Sequence, residues 1–231
     1  MKGVITEIER FSLKDGPGIR TTVFFKGCNM ACKWCHNPET LSVKPQLMVY
    51  PKNCIGCGAC VKACKAGART IENGMLHYDR SVCTDCGACA QNCFTGALVM
   101  SGKEMTVEEV MSEILQDRGY YRNSGGGVTL SGGEVSTQPE FAVELLKALK
   151  NENISTAIET NLYAPWSVYE SLMPFVDLVM FDIKVFDSSA HKKWTGVSNQ
   201  RILENAKRIA GVYIAPPKRC IFCIMTGNPP L

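Results

Sequence analysis

Eleven of the thirteen cysteines in this 231-residue chain fall into three short runs. The first is Cys28, Cys32 and Cys35, spaced C-x3-C-x2-C. The second is Cys54, Cys57, Cys60 and Cys64, and the third is Cys83, Cys86, Cys89 and Cys93; both read C-x2-C-x2-C-x3-C. Thirteen is odd, so a complete disulfide framework would leave one thiol over. The opening MKGVITEIERFSLKDGPG carries Glu7, Glu9 and Asp15 and no apolar h-region, so it does not read as an export signal. The default compartment is a reducing cytoplasm, where closely spaced cysteines are more often metal ligands than disulfide partners. Thiolates at this spacing suit iron–sulfur cubanes. Zinc is the alternative, but its ligand pairs usually come as two C-x2-C units joined by a long spacer.

CIGCGACVKAC and CTDCGACAQNC are two copies of one unit, and Cys83 follows Cys54 by 29 residues. The spacing resembles that of bacterial two-cluster ferredoxins, in which the fourth cysteine of each run ligates the other cluster. That resemblance assigns Cys54, Cys57, Cys60 and Cys93 to one cluster, and Cys83, Cys86, Cys89 and Cys64 to the other. Two-residue spacers let a tight loop curl three thiolates around a cubane face, and the fourth is expected to start a helix crossing to the other cluster. Gly56, Gly58 and Gly87 allow close backbone approach. The first run has no fourth cysteine in its loop. Three thiolates leave one iron without a protein ligand, an open position where a substrate or cofactor can bind. The alternative is a structural site with a distant fourth ligand such as His36.

The wider context is more specific. C-x3-C-x2-C is the radical SAM signature, and FSLKDGPGIRTTVFFKGCNMACKWCHNPET resembles the opening of the glycyl-radical-enzyme activating enzymes. SGGGVTLSGGE (124–134), LVMFDIK (178–184) and TGVSNQRILENAK continue the likeness, which covers roughly residues 1–210. The resemblance implies a [4Fe–4S] cluster on a catalytic trio, Cys28, Cys32 and Cys35, with S-adenosylmethionine on its unique iron. One electron cleaves the C5′–S bond, and the 5′-deoxyadenosyl radical takes a hydrogen from a glycine of a partner enzyme. Trp34, Cys35 and His36 would border the adenine. Gly132, Gly133 and Glu134 match the motif that holds the methionyl amino group, where glycines allow close approach and a carboxylate suits an ammonium. The family usually has proline next; here Val135 follows. Asp182, Ile183 and Lys184 match its D-x-K motif, with the lysine on the methionyl carboxylate. Alternation puts Asp182 and Lys184 on one strand face and Ile183 opposite; a solvated strand end is the other reading. Glu159, in AIETN, matches an acidic position near the sugar. The DGPG stretch, Asp15 to Gly18, would lie at the open end of the family's barrel; a surface turn is the alternative. The insert resembles that of the subgroup with two further clusters, three [4Fe–4S] in all. The implied partners are a glycyl-radical enzyme and, as electron donor, flavodoxin or ferredoxin, in an anaerobic cytoplasm.

Strands and helices alternate around these motifs. Strands are expected at Arg20 to Phe25, at GVTL, at Thr156 to Thr160 and at Asp177 to Lys184. Helices are expected from Thr106, where Glu109 completes a capping box; after Thr137, with Glu140 as its box partner; near Pro165 to Leu172; and near Arg201 to Ala210. Alternation of this kind argues for an α/β fold with a parallel sheet. The resemblance sharpens that to a partial parallel (β/α) barrel with an inserted ferredoxin-like α+β domain: 1–49, insert 50–100, then 101–231, incomplete after about 211. Four strands before residue 211 are few for such a barrel, and the likeness stops near Gly211. The expectation is therefore a truncated or frameshifted product, its edge at the fourth strand exposed. Cys220 and Cys223 have no place in the pattern and read as free thiols or a metal or redox pair.

The composition narrows the functional classes. The chain is 45% hydrophobic with a net charge of +3, which gives no case for nucleic-acid or anionic-membrane binding. No apolar run approaches the ~18 residues of a membrane span. Besides an activase, two readings stay open. One is another radical SAM enzyme with auxiliary clusters, such as a peptide maturase. The other is an inactive or electron-transfer iron–sulfur protein.

Overall fold

The computed structural model describes residues 1–72, 75–213 and 219–223. They divide into two compact units, one of residues 1–43 with 104–231 and one of residues 44–103. In chain order the elements are β1 (Lys2–Ser12), β2 (Arg20–Phe25), β3 (Gln46–Val49), α1 (Ala59–Ala63), β4 (Arg69–Glu72), β5 (Met75–Tyr78), α2 (Ala88–Gln91), β6 (Leu98–Ser101) and β7 (Lys103–Thr106). There follow α3 (Val107–Ile114), α4 (Arg118–Ser124), β8 (Gly127–Gly132), α5 (Pro139–Asn151), β9 (Ser155–Thr160), α6 (Trp166–Leu172), β10 (Leu178–Asp182), α7 (Ser188–Thr195), α8 (Gln200–Tyr213) and β11 (Arg219–Cys223).

The larger unit is built on one sheet in the order β11-β10-β9-β8-β2-β1-β7. β2, β8, β9, β10 and β11 are successive parallel neighbours, and β1 is antiparallel to β2. Helices connect the parallel strands, as crossovers of this kind require. One face of the central strands packs into the core: Val23, Phe25, Val128, Leu130 and Ile158, which share that face by register, are all buried. α5 turns Phe141, Leu145, Leu146 and Leu149 into the same core, each worth roughly 1.5–3 kcal/mol of burial. Arg20 is also buried. It donates to Val128 O at 2.6 Å, Thr129 Oγ1 at 2.7 Å and Ser155 O at 3.2 Å, so one guanidinium ties the starts of β2, β8 and β9. Burial pulls its pKa down to about 10, so it stays cationic at neutral pH.

The smaller unit takes in residues 44–49 because β3 pairs antiparallel with β6, Gln46 opposite Ser101. β4 and β5 form a second antiparallel pair, and Leu47, Cys60, Cys89 and Leu98 make a small core. α1 and α2 each begin after a glycine in the left-handed region, Gly58 (φ 71°) and Gly87 (φ 77°). The third cysteine of each run thus lies in its helix. The fourth does not start a helix: Cys64 caps the end of α1, and Cys93 lies beyond α2.

Several expected elements hold. Thr106 and Glu109 form a capping box, with Thr106 N donating to Glu109 Oε2 at 2.7 Å and Glu109 N to Thr106 Oγ1 at 3.2 Å. Thr137 does not cap α5. The cap residue is Gln138, and Thr137 Oγ1 donates to Glu134 O at 2.7 Å instead. The fourth expected strand stops at Asp182, two residues early. Its edge is not open, because β11 pairs with β10 from Leu178–Arg219 to Asp182–Cys223. The side chains of Cys220 and Cys223 lie outside the described residues.

β1 went unforeseen. Irregular register between Ile5/Glu7 and Glu9/Ser12 breaks its alternation, and charged side chains face outward. It is held in part by Arg10, which reaches the buried Asp117 with Nε–Oδ2 at 2.9 Å and Nη2–Oδ1 at 2.5 Å; Thr21 Oγ1 adds 2.9 Å. The Arg10 hydrogen bonds hold the Asp117 carboxyl below the usual carboxylate range. A depressed folded-state pKa contributes stability above the unfolded value and loses it as pH falls through the folded one. Asp117→Asn should therefore lower the urea midpoint at pH 7 by the equivalent of roughly 1.5–3 kcal/mol. The gap to wild type should narrow below about pH 4. An equal gap at pH 7 and pH 3 would show that the charge contributes nothing.

Candidate functional site

β8, β9 and β10 end side by side at Gly132, Thr160 and Asp182, and a cavity of about 350 Å³ opens there. It is lined by Cys28, Cys32, Trp34, Cys35, His36, Gly132, Gly133, Glu134, Glu159, Asp182 and Lys184. Ile183 alone of the expected set is absent from this lining and packs against the hydrophobic core. The DGPG stretch does not line this cavity, although the charge of Asp15 reaches Glu159. A Cβ on Gly18 would meet Gly126 N at 2.5 Å, just before β8 begins, and Asp15 Oδ2 accepts from Thr22 Oγ1 at 2.6 Å and Ser12 Oγ at 2.7 Å.

The cysteine loop follows β2 and is pinned by backbone hydrogen bonds on two sides. Gly27 N donates to Thr40 O at 2.8 Å, and Ala31 N and Lys33 N donate to Thr195 O and Trp194 O, each at 2.9 Å. α7 is therefore part of the site's scaffold. Its sequence, SSAHKKWT, buries His191 and Thr195 and offers no apolar periodicity, so nothing in it signalled a helix. Burial pushes the Cys28 thiol up to about 11 and raises that of Cys32, against the pull of Lys184. Thiols so placed stay protonated at neutral pH unless a metal draws them into the thiolate form.

The two glycines are dictated by contact. Gly132 has φ 108°, and an added Cβ would stand 2.3 Å from Phe25 N; on Gly133 it would stand 2.3 Å from Gly27 O. Side-chain-free backbone thus forms the cavity wall between β2 and β8. Glu134 also ties the loops around the cavity together. It is fully buried, and burial raises its pKa. Its carboxylate accepts from Thr160 Oγ1 at 2.7 Å, Ser136 N at 3.0 Å and Asn161 N at 2.7 Å. That carboxylate fastens the loop after β8 to the loop after β9, and Glu134 lines the cavity together with the two glycines.

Lys184 Nζ stands 3.1 Å from Asp182 Oδ2. Burial would lower the lysine's pKa, but the Asp182 charge and hydrogen bond outweigh it, so the ammonium persists. Glu159 accepts from Ser131 Oγ at 2.5 Å, and burial raises its pKa, with Asp15 and Asp182 adding to the effect. Asn161, Ser131 and Thr160 were missed by sequence reasoning. Asn161 Nδ2 donates to Asn29 Oδ1 at 2.8 Å and lies 3.9 Å from Cys28 Sγ, linking the Glu134 anchor to the cysteine loop. Its position directly after AIET was the available signal.

In the smaller unit, Cys54, Cys57, Cys60 and Cys93 line one cavity of about 560 Å³. Cys64, Cys83, Cys86 and Cys89 line another.

A family model described as a 4Fe-4S single cluster domain matches residues 14–203. The (2S)-3-sulfopropanediol dehydratase activating enzyme of Klebsiella oxytoca is 45% identical over 88% of this chain and 66% of its own length. The choline trimethylamine-lyase activating enzyme of Oleidesulfovibrio alaskensis is 46% identical over 88% and 67%. The isethionate sulfite-lyase activating enzyme of Nitratidesulfovibrio vulgaris is 40% identical over 93% and 72%. The chain belongs to the glycyl-radical-enzyme activating enzymes. It spans about two thirds of the length of these relatives. A mixed α/β fold with a parallel sheet is common ground between the sequence reading and the structure. Among the described residues, no helix is long and apolar enough to cross a membrane.

Proposed function

We propose that this chain binds a [4Fe–4S] cluster on Cys28, Cys32 and Cys35 and S-adenosylmethionine beside it. When bound, the cluster supplies the electron that splits the C5′–S bond, giving methionine and a 5′-deoxyadenosyl radical that takes one hydrogen atom from a glycine of a partner glycyl-radical enzyme. The observation that carries this reading is the placement of three half-buried thiols, a bare glycine wall and a lysine ammonium around one cavity at the carboxyl ends of parallel strands. The thiols suit iron, and the backbone of Gly132 and Gly133 lets an amino group approach. Lys184 is the cation for a carboxylate, oriented by Asp182. Trp34 and His36 border the remaining space, and Glu159 offers an acceptor toward a sugar. The parallel sheet is read as part of a (β/α) barrel of the radical SAM type.

The insert is read as a ferredoxin-like domain with two further [4Fe–4S] clusters, three in all. The sorting of its eight cysteines into the two cavities supports the crossed pairing. Flavodoxin or ferredoxin would supply electrons.

Anaerobic reconstitution should load about twelve irons per chain. Reductant and S-adenosylmethionine should then give 5′-deoxyadenosine, and a glycyl partner should acquire a radical. Eight irons and no cleavage would mean an electron carrier; cleavage that never produces a glycyl radical would mean a maturase. Lys184→Met should keep the iron content and weaken S-adenosylmethionine binding about 10- to 100-fold, the loss of one charge-assisted contact. Binding within twofold of wild type would remove Lys184 from the site.

A further inference from the structure

Arg69 is 3% exposed, at the start of β4. Its partner across the hairpin is Tyr78, whose ring lies 3.9 Å from the guanidinium carbon. Arg69 and Tyr78 both line each of the two cysteine-lined cavities of this unit. Arg69 Nε and Nη2 are buried without any hydrogen-bond partner, and among the described residues Arg69 forms no ion pair. A buried guanidinium without donors' partners is costly and is ordinarily found only beside compensating negative charge. The carboxylate that lines one of these cavities, Asp85, is taken by Arg80, at 3.0 and 3.2 Å. What surrounds it is thiols, four on each side.

A thiolate-ligated cubane is an anion whose sulfurs accept hydrogen bonds, and it becomes more negative on reduction. The two unpartnered nitrogens and the missing counter-charge are thus the complement of such a group. We propose that Arg69 is a shared ligand of both insert clusters, donating N–H hydrogen bonds to sulfur and holding its charge between them so that each is easier to reduce. Arg69 acts on electron transfer by positioning charge and touches no substrate. The stack on Tyr78, fixed by the hairpin register, keeps the fork aimed at both cavities. The inference rests on the reading that the insert holds two clusters.

The test is a redox titration of the full, reconstituted chain followed by EPR. Arg69→Gln should shift both insert clusters to lower potential. At a fixed potential the reduced-to-oxidised ratio should fall about tenfold, which is ~59 mV for one electron. Arg69→Lys keeps the charge and loses the fork, and should shift both by less. The Cys28 trio cluster should titrate as in wild type. Unmoved insert potentials in an iron-replete Arg69→Gln chain overturn the proposal, and a shift confined to one cluster overturns the shared role. Where Arg69→Gln loses iron, wild-type chain labelled with 15N-arginine decides. A guanidinium nitrogen coupling in pulsed EPR of the reduced insert clusters supports the contact, and its absence rejects it. A wild-type insert without iron would instead sink the two-cluster reading itself.

Discussion

Replacing Cys32 with serine should leave about eight irons per chain and no measurable 5′-deoxyadenosine, a loss of at least ~10³-fold, or about 4 kcal/mol of barrier. The expectation follows from the loop's construction. Cys32 sits between two backbone anchors to α7, at Ala31 and Lys33, so no neighbouring side chain can slide into its place. Serine keeps the volume and loses the soft thiolate that iron–sulfur clusters select. The insert lies in a separate unit with its own eight cysteines, so its iron should stay. Iron quantitation and chromatography of the cleavage product read both arms at once. Persistent cleavage in the serine variant would place the reactive centre elsewhere.

Gly132→Ala should be among the most damaging methyl groups that can be added to the chain. The added Cβ would stand 2.3 Å from Phe25 N and 2.4 Å from Phe25 O, both backbone atoms of the adjacent strand, at a φ of 108° that L side chains avoid. Neither β2 nor β8 can retreat, because each is hydrogen-bonded along its length to the other. The cost should exceed about 4 kcal/mol, beyond the ordinary range for point substitutions. Soluble yield and the urea midpoint measure it. Gly119→Ala is the control. Nothing lies within 4 Å of its added Cβ inside α4, and it should gain roughly 0.5–1 kcal/mol. A Gly132→Ala chain as stable as wild type would mean that the close approach of β2 and β8 is dispensable.

The cysteine runs were legible because ligand spacing is a local property. The motifs after β8 and β10 were legible because each follows an apolar strand. What Glu134 does was not legible. Its three donors come from Ser136, Thr160 and Asn161, and only the parallel pairing of β8 with β9 brings the latter two near. Thr137 failed as a cap for a related reason: its hydroxyl is spent on Glu134 O. β1 and α7 escaped notice because one has an irregular register and the other buries polar groups, so neither leaves a hydrophobic period. Arg69 is ordinary in the sequence. Its two unpartnered nitrogens appear only once the pairing of β4 with β5 sets it opposite Tyr78.

β2 and β8 are neighbours in the sheet although all of residues 44–103 separate them along the chain. Such a pairing would ordinarily demand a long loop closure. Here the intervening segment draws its own ends together, since Gln46 stands opposite Ser101. A chain emerging from the ribosome exposes that whole segment, with its local pairings and its own core, before β8 leaves the exit tunnel. By the time β8 appears, its partner strand is only a short tether away. The order of translation therefore lets the cysteine-rich module fold early, and its folding in turn brings the two distant strands within reach of each other.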